Sequence, residues 1–295
     1  MPVRERLLPA VRVLLPVLLL AGGCGASPGH VHTHAAHGTV RLPDRPRHSP
    51  TPSPRVPPAQ RHPRWHVVAL GDSVTTGARC ACAAFPQLYA RDLARARGAR
   101  VTVQNLGQNG QDTTGLLTQL RSPGSPRREA VRRADIVLLT IGANDFGDHH
   151  DDVVADRCAL ERRDSCVDGE LRRLRQNMRS LLATVEALRE GSPTAVLVTG
   201  YWNVFEDGAV ARNAFSRSGL RASRTLTFEA DDVLRDAARR AGATFVGLYA
   251  PFHGPAARGD VTHLLAPDGD HPDAAGQALI AQRLLAAGLA GLVQG

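Results

Sequence analysis

Four short stretches of the sequence carry side chains suited to nucleophilic catalysis, and the first presents a serine. Ser73 follows the apolar run 65–70 and the turn residues Gly71 and Asp72. A Gly-Asp-Ser tripeptide alone is commonly a turn or a helix cap. A serine hydroxyl becomes a nucleophile only when a base takes its proton and hydrogen-bond donors stabilise the resulting oxyanion. Ser73 is therefore a candidate nucleophile if the other stretches supply those groups.

The candidate base lies near the end of the sequence. The stretch DGDHP places Asp268 three residues before His271. On a loop or a single helical turn, this spacing allows His271 to face Ser73 while Asp268 holds the imidazole in the required tautomer. Asp270 is the alternative partner for the imidazole.

Two further polar stretches, NLGQNGQDT and GAND, supply candidate oxyanion donors. The backbone N–H groups of Ser73 and Gly110 and the side-chain amide of Asn144 can donate hydrogen bonds without carrying a charge. A glycine also lets the main chain approach a ligand closely. Gly107 competes with Gly110 for this role.

Alternating strand and helix patterns must bring these stretches together. Each of the first three predicted strands is followed by one of the polar stretches. Strands separated by helices imply parallel pairing through right-handed crossovers, which predicts a three-layer α/β/α sandwich around a five-stranded parallel sheet. The stretches that follow the strands then share one edge of the sheet. Strands are predicted at 65–70, 100–106, 134–141, 195–199 and 244–248, and helices at 85–97, 125–133, 170–189, 223–241 and 273–293.

In order and approximate spacing, the four stretches resemble the four sequence blocks of the SGNH (GDSL-type) hydrolases. The resemblance covers residues 65–295. It implies a flavodoxin-like strand order and a serine esterase or lipase that hydrolyses carboxylic esters through an acyl-enzyme intermediate. It implies no metal and no organic cofactor.

The same resemblance gives each candidate residue a role. Gly110 begins a Gly-x-Asp-Thr stretch as in the second block of the family, which favours Gly110 over Gly107. The Asp-x-x-His spacing favours Asp268 over Asp270. The implied roles are nucleophile for Ser73, base for His271, orientation of the imidazole for Asp268, and oxyanion donation for Ser73, Gly110 and Asn144.

The N-terminus has the layout of a secretory signal peptide over residues 1–23. Arginines precede the apolar stretch 13–20, small residues follow, and the apolar core is too short to span a bilayer. The residues before Cys24 resemble a bacterial lipobox, although Ala21 stands where leucine is usual. We expect export with a lipid on Cys24, and the alternative is free secretion after cleavage near Ala26.

Residues 24–64 are rich in proline and histidine and show no apolar period. Such a segment cannot bury enough surface to offset the entropy of ordering, so it predicts a disordered tether. Its histidines could bind a transition metal loosely, but a solvated tract is the preferred interpretation. The catalytic domain is expected at 65–295.

Composition argues against a nucleic-acid partner. The 295-residue chain has a formal charge of +8, but its arginines are scattered and aromatic residues make up 4%. Binding of single-stranded nucleic acid needs basic residues interleaved with aromatic ones. We therefore expect no nucleic-acid partner, and we expect a monomer that acts on a small-molecule, lipid or glycan ester.

Export would place the cysteines in an oxidising compartment. Cys80, Cys82, Cys158 and Cys166 form an even set and predict two disulfides. The first possibility pairs Cys158 with Cys166 and Cys80 with Cys82. Cross-pairing between the two segments is the alternative, and a four-thiolate zinc site is the least favoured because the spacing is unusual for zinc.

Several points stay open from the sequence. A carbohydrate O-acetylesterase, an acyltransferase, or a non-catalytic protein that binds glycans or lipids would be compatible with parts of the pattern. Trp202 and Phe205 either line an acyl or sugar subsite or pack in the core. The HHDD stretch at 149–152 is interpreted as a solvated rim rather than a metal site.

Overall fold

The strands of the fold bring the predicted blocks to one side of a sheet. The computed structural model describes residues 63–158, 160, 165–254, 256 and 258–292. The predicted signal peptide, Cys24 and almost all of the predicted tether lie outside the described residues. The strands are β1 (Arg64–Gly71), β2 (Arg100–Asn105), β3 (Ile136–Thr140), β4 (Ala195–Thr199) and β5 (Thr244–Val246).

Helices connect these strands and cover the sheet. Short 3-10 helices span Ala143–His149 and Thr262–Leu264. In the part of the chain that the structure describes, no helix combines the length and hydropathy that a membrane crossing requires. The α-helices are α1 (Ser73–Thr76), α2 (Phe85–Arg97), α3 (Thr113–Arg121), α4 (Pro126–Arg132), α5 (His150–Val154), α6 (Asp168–Arg189), α7 (Gly208–Ala214), α8 (Arg217–Arg240), α9 (Tyr249–His253) and α10 (Ala274–Ala286).

The sheet has the strand order β2-β1-β3-β4-β5, and every neighbouring pair is parallel. Helix α2 packs against α10, whereas α3, α4 and α8 pack against α6. Right-handed crossovers place these two groups on opposite faces of the sheet. The predicted α/β/α sandwich is confirmed. Its order reverses between β1 and β3, and this switch point is where open α/β sheets bind ligands.

Burial along the strands follows their positions in the sheet. All five residues of β3 are buried, which is the pattern of a central parallel strand covered on both faces. The edge strand β2 instead alternates exposed and half-buried residues. The near-continuous apolar run of β3 therefore reflects its central position.

Several helices differ from the sequence prediction, which also lacked the short helices α1, α5, α7 and α9. Helix α3 was not predicted, because its start lies within a polar stretch that was interpreted as a loop, yet the Asp112 carboxylate caps it by accepting the Gly115 N–H at 2.8 Å. Helix α8 begins earlier than predicted, because Ser216 accepts the Gly219 N–H at 3.0 Å. Helix α10 ends at Ala286, shortly before Gly288 takes a left-handed conformation.

The cysteines pair within their own segments. Cys80 bonds to Cys82 and Cys158 to Cys166, with 5.0 Å between the Cα atoms of each pair. This is the first of the pairings considered above, and the cross-paired alternative and the zinc site are wrong. The first disulfide lies a few residues after Ser73.

The two disulfides should differ in their contribution to stability. The double variant Cys158→Ser/Cys166→Ser should lower the free energy of unfolding by about 2–3 kcal/mol, because a cross-link constrains the unfolded chain more when the loop is longer. The sequence separations are 8 and 2 residues. Cys80→Ser/Cys82→Ser is the matched control and should cost about 1–2 kcal/mol. Guanidinium denaturation measures both, and the opposite ranking would contradict this assignment.

Candidate active site

Three of the predicted site residues follow neighbouring strands, and the predicted base lies in a loop near the last helix. Ser73 begins α1 directly after β1, Gly110 lies in the loop after β2, and Asn144 lies in the 3-10 helix after β3. Because β2, β1 and β3 are adjacent and parallel, these residues share the carboxyl edge of the sheet. His271 lies in the loop before α10.

A tight turn presents Ser73 at this edge. Gly71 has a φ of 142°, and a Cβ at this position would lie 1.9 Å from the carbonyl oxygen of Thr140. Asp72 then donates its N–H to the same oxygen at 3.1 Å and caps α1 by accepting the Val74 N–H at 3.0 Å. Only glycine fits at position 71, so the strand can end against β3 and leave Ser73 half-buried at the edge.

The loops that carry Gly110 and Asn144 contact each other. The Asn144 side-chain amide donates to the Gln111 carbonyl at 3.0 Å, and its second N–H remains available. Gly110 has a φ of 71°, and no atom of the described residues lies within 4 Å of the place a Cβ would take. The Gly107 N–H is already used, since it donates to the Asn105 side chain at 3.0 Å. The geometry therefore favours Gly110 over Gly107 as an oxyanion donor.

Asp145 links the segment that follows β3 to the start of α3, at the end of the loop that carries Gly110. Its carboxylate accepts hydrogen bonds from the Thr113 N–H at 3.0 Å and from the Thr113 hydroxyl. Burial raises the pKa of Asp145 to about 6, although these hydrogen bonds act in the opposite direction. The sequence indicated Asp145 only as part of a polar stretch, and its bracing role depends on a contact with another element.

His271 is paired with Asp268. Its Nδ1 lies 2.9 Å from Asp268 Oδ2 and 3.5 Å from Asp270 Oδ2. The other oxygen of Asp268 accepts the backbone N–H groups of Asp270 and His271, each at 3.1 Å. Partial burial acts to raise the pKa of Asp268, but the hydrogen bonds from His271 and Asp270 outweigh it and hold the pKa below its usual value. The pairing leaves Nε2 as the imidazole nitrogen that can take a proton.

Gln277 links α10, the helix that follows the His271 loop, to the helix that carries Ser73. Its fully buried side chain accepts the Phe85 N–H at 2.7 Å and donates to the Val74 carbonyl at 3.3 Å. On the other side of the loop, Arg79 Nε lies 3.8 Å from Asp268 Oδ2. Helix α10 therefore contacts the helix of Ser73, and the His271 loop lies near Arg79, which follows that helix.

A buried polar group lies beneath the nucleophile. The Tyr201 hydroxyl donates to Asp72 Oδ2, and the Tyr201 N–H donates to Asp231 at 3.0 Å. All three side chains are at most 3% exposed. Burial raises the pKa of Asp72 to about 6, against the effect of the Tyr201 hydrogen bond. Tyr201 is a positioning residue that the sequence did not reveal, because it is 129 residues from Asp72.

Replacing Asp72 by Asn should change how stability depends on pH. Burial raises the pKa of Asp72 from 3.8 to about 6, so the folded protein holds this proton more tightly than the unfolded chain. The stabilisation that the protonated Asp72 carboxyl gives the folded state is present at low pH and is lost as the pH rises from about 4 to about 6. The free energy of unfolding of the wild type minus that of Asp72→Asn should fall across this window, by up to about 3 kcal/mol.

Guanidinium denaturation at several pH values between 4 and 7 measures this difference. Asn keeps an acceptor for the Val74 N–H but does not titrate. The exposed Asp232→Asn is the matched control. A difference between wild type and Asp72→Asn that stays constant with pH would contradict the assignment.

Trp202 and the 149–152 stretch, which the sequence also singled out, do not contribute catalytic groups to the candidate site. Trp202 is 1% exposed and stacks on Phe252 with ring centroids 4.5 Å apart, so it packs in the core. His149 Nε2 lies 3.2 Å from Glu170 Oε2. Ligand atoms of His149, Asp152 and Cys166 lie within 4.8 Å of one another, but the Cys166 sulfur is in a disulfide and is no thiolate ligand.

A serine and a histidine–aspartate pair lie near the carboxyl edge of the sheet, next to its switch point. This set of side chains suits an enzyme that hydrolyses esters. The chain belongs to the GDSL-like lipase/acylhydrolase family, because the model of that family matches residues 69–279. The predicted family and the predicted ester-hydrolysing class are confirmed.

Solved structures share this fold at low sequence identity. The lipase Lip_vut3 from a goat rumen metagenome is 18% identical with a TM-score of 0.56, covering 77% of this chain and 98% of that one. A variant of Axe2, an acetyl xylan esterase from Geobacillus stearothermophilus, is 18% identical with a TM-score of 0.55, covering 80% and 100%. Phospholipase A1 from Streptomyces albidoflavus NA297 is 20% identical with a TM-score of 0.54, covering 76% and 99%. No curated protein sequence matches the chain.

Proposed function

We propose that the protein is a serine esterase that works through an acyl-enzyme intermediate. Ser73 is the nucleophile, His271 the base, and Asp268 the residue that orients the imidazole. The N–H groups of Ser73 and Gly110 and the Asn144 amide are the oxyanion donors. The observation that carries the proposal is the 2.9 Å bond between Asp268 and His271 Nδ1, on the loop that leads into α10, a helix that contacts the helix of Ser73.

The reaction proceeds in two halves. Ser73 Oγ bonds to the ester carbonyl carbon while His271 Nε2 takes the hydroxyl proton, and the donors stabilise the oxyanion. When the intermediate collapses, the ester C–O bond breaks and His271 gives that proton to the departing alcohol. Water then attacks the acyl group on Ser73 with His271 again as base, and the carboxylic acid leaves as Ser73 regains its proton.

A fluorophosphonate probe tests this proposal directly, because only an activated serine reacts readily with it. We expect one label per chain on the peptide that contains Ser73, and hydrolysis of p-nitrophenyl acetate by the same preparation. Labelling should stop when His271 is replaced by Ala. A protein that is neither labelled nor active on p-nitrophenyl esters would support the non-catalytic binding alternative.

We also propose that the protein is exported and anchored through a lipid on Cys24. The signal-peptide layout before Cys24 supports this, and so do the two disulfides, which are typical of exported proteins. In a bacterial host the full chain should fractionate with membranes, and Cys24→Ser should release it or leave it unprocessed. A wild-type protein that is soluble and lacks a lipid by mass spectrometry would contradict the anchor.

A further inference from the structure

A small cleft opens beside the proposed oxyanion donor. It has a volume of about 150 Å³ and lies between the 3-10 helix that carries Asn144 and the loop that follows β4. Asn144, His150, Phe205, Glu206 and Asp270 contribute to its walls. Asn144 is a proposed oxyanion donor and Asp270 is the residue before His271, so the cleft adjoins the proposed reaction centre.

His150 is fixed at the wall of the cleft. Its Nε2 lies 2.8 Å from Glu206 Oε2 and its Nδ1 lies 2.9 Å from Asp151 Oδ1. The imidazole meets the Phe205 ring edge-on, with centroids 4.9 Å apart. Partial burial acts to lower the pKa of His150, but the hydrogen bonds to Asp151 and Glu206 outweigh it and raise the pKa. The contact between His150 and Glu206 uses one Glu206 oxygen and leaves the other able to accept a hydrogen bond from a ligand.

Asp270 supplies a second acceptor. Among the described residues its carboxylate makes no hydrogen bond, and His271 Nδ1, which is bonded to Asp268, lies 3.5 Å from its Oδ2. Burial and the neighbouring carboxylates of Glu206 and Asp268 raise the pKa of Asp270. A ligand that donates hydrogen bonds would relieve this unfavourable placement.

The polar lining therefore presents hydrogen-bond acceptors, because the Asn144 amide uses its two N–H groups on the Gln111 carbonyl and the oxyanion. The Glu206 and Asp270 carboxylates accept, and alcohol hydroxyls donate to such acceptors. Glu206 is already paired with His150 Nε2, so a neutral hydroxyl fits beside it better than a cation. The volume is below the roughly 300–1,000 Å³ of pockets for drug-sized ligands. The cleft admits one compact polar group.

Among the described residues, the one large hydrophobic side chain that is exposed is Phe228, at 45% exposure, and it lies on α8 against Tyr249 rather than in the lining of the cleft. The apolar part of that lining includes Val204 and Phe205, which are both buried. Binding of a lipid surface or a long acyl chain requires a contiguous apolar patch. The described part of the chain offers a polar cleft in its place.

We propose that this cleft binds the alcohol half of the substrate and that this alcohol is a compact polyhydroxylated, sugar-like group. The inference rests on the esterase function proposed above. The base must reach the leaving oxygen to protonate it, and the cleft includes Asp270, the residue next to His271. Glu206 is a specificity-determining residue that accepts hydrogen bonds from the hydroxyls of the alcohol.

Esters that share an acetyl group isolate the alcohol half, because they all form the same acetyl enzyme. The test compares kcat/KM for a mono-acetylated methyl glycoside and for p-nitrophenyl acetate. Glu206→Gln should lower the ratio of the first value to the second by at least about tenfold. The exposed Glu186→Gln on α6 is the matched control and should leave the ratio unchanged.

Two further acetate esters decide between classes of alcohol. The wild type should prefer the glycoside to acetylcholine and to octyl acetate. A preference for acetylcholine would show a cation site, and a preference for octyl acetate an apolar one, and either result overturns the inference. If Glu206→Gln does not fold, as judged by its thermal melt, Asp270→Asn removes charge from the opposite wall and should lower the same ratio.

The two proposals can fail separately. If the wild type hydrolyses p-nitrophenyl acetate through Ser73 but both substitutions leave the ratio unchanged, the esterase function stands and the sugar-like alcohol is wrong. If the wild type hydrolyses none of these esters and takes no fluorophosphonate label, the esterase function is wrong and the inference falls with it.

Discussion

Ser73→Ala should lower kcat/KM for p-nitrophenyl acetate by at least about a thousandfold, because no other group in the proposed mechanism can form the acyl enzyme. The fold should be retained. In the described residues the Ser73 hydroxyl makes no hydrogen bond, and the cap of α1 comes from Asp72. We expect a far-UV spectrum like that of the wild type and a thermal midpoint within a few degrees of it.

Ser192→Ala is the matched control, because Ser192 is exposed in the turn that precedes β4. Its activity should equal that of the wild type. A Ser73→Ala protein that is folded and keeps most of its activity would remove Ser73 from the mechanism. Loss of activity together with loss of the thermal transition would point to unfolding, and Ser73→Cys would then provide the second comparison.

Asp268→Asn should lower kcat/KM by about a hundredfold or more. The carboxylate accepts the Nδ1 proton of His271 at 2.9 Å and so directs Nε2 to the base role. An amide in its place can donate to Nδ1 and stabilise the wrong tautomer, an exchange that costs up to about 10⁴ in a serine protease triad. The loss should appear in kcat, because orientation of the base matters for the chemical step.

Asp270→Asn provides the comparison within the same loop. Its carboxylate is 3.5 Å from Nδ1 and forms no hydrogen bond with the ring. Its effect on hydrolysis of p-nitrophenyl acetate should therefore be at least about tenfold smaller than that of Asp268→Asn. The reverse ranking would give the orienting role to Asp270, the alternative that the sequence left open.

Much of the fold could be predicted from the sequence, because it is encoded in local patterns. The apolar run that became β3 and the periodic helix α6 were both predicted with small errors at their ends. The strand-terminal polar stretches also located the edge that carries Ser73 and Asn144. Parallel pairing follows from the alternation of elements, so these residues could be placed at one edge without a structure.

The residues that support the site could not be predicted in the same way. Tyr201 and Gln277 look like ordinary helix or strand-end residues, and their functions depend on partners 129 and 203 residues away. Asp145 likewise braces α3 across 32 residues. Contacts at such separations leave no periodic signal in one sequence. The missed helix α3 has the same cause, since its cap lies inside a stretch dominated by polar residues.

The docking of Gln277 links the assembly of the site to the order in which the chain is made. Val74 and the Gln277 amide that donates to it are separated by 203 residues, so this hydrogen bond forms only after most of the domain has been synthesised. A nascent chain presents the serine long before the imidazole arrives. Under the proposed mechanism, an unfinished polypeptide carries the nucleophile without its base and is hydrolytically inactive.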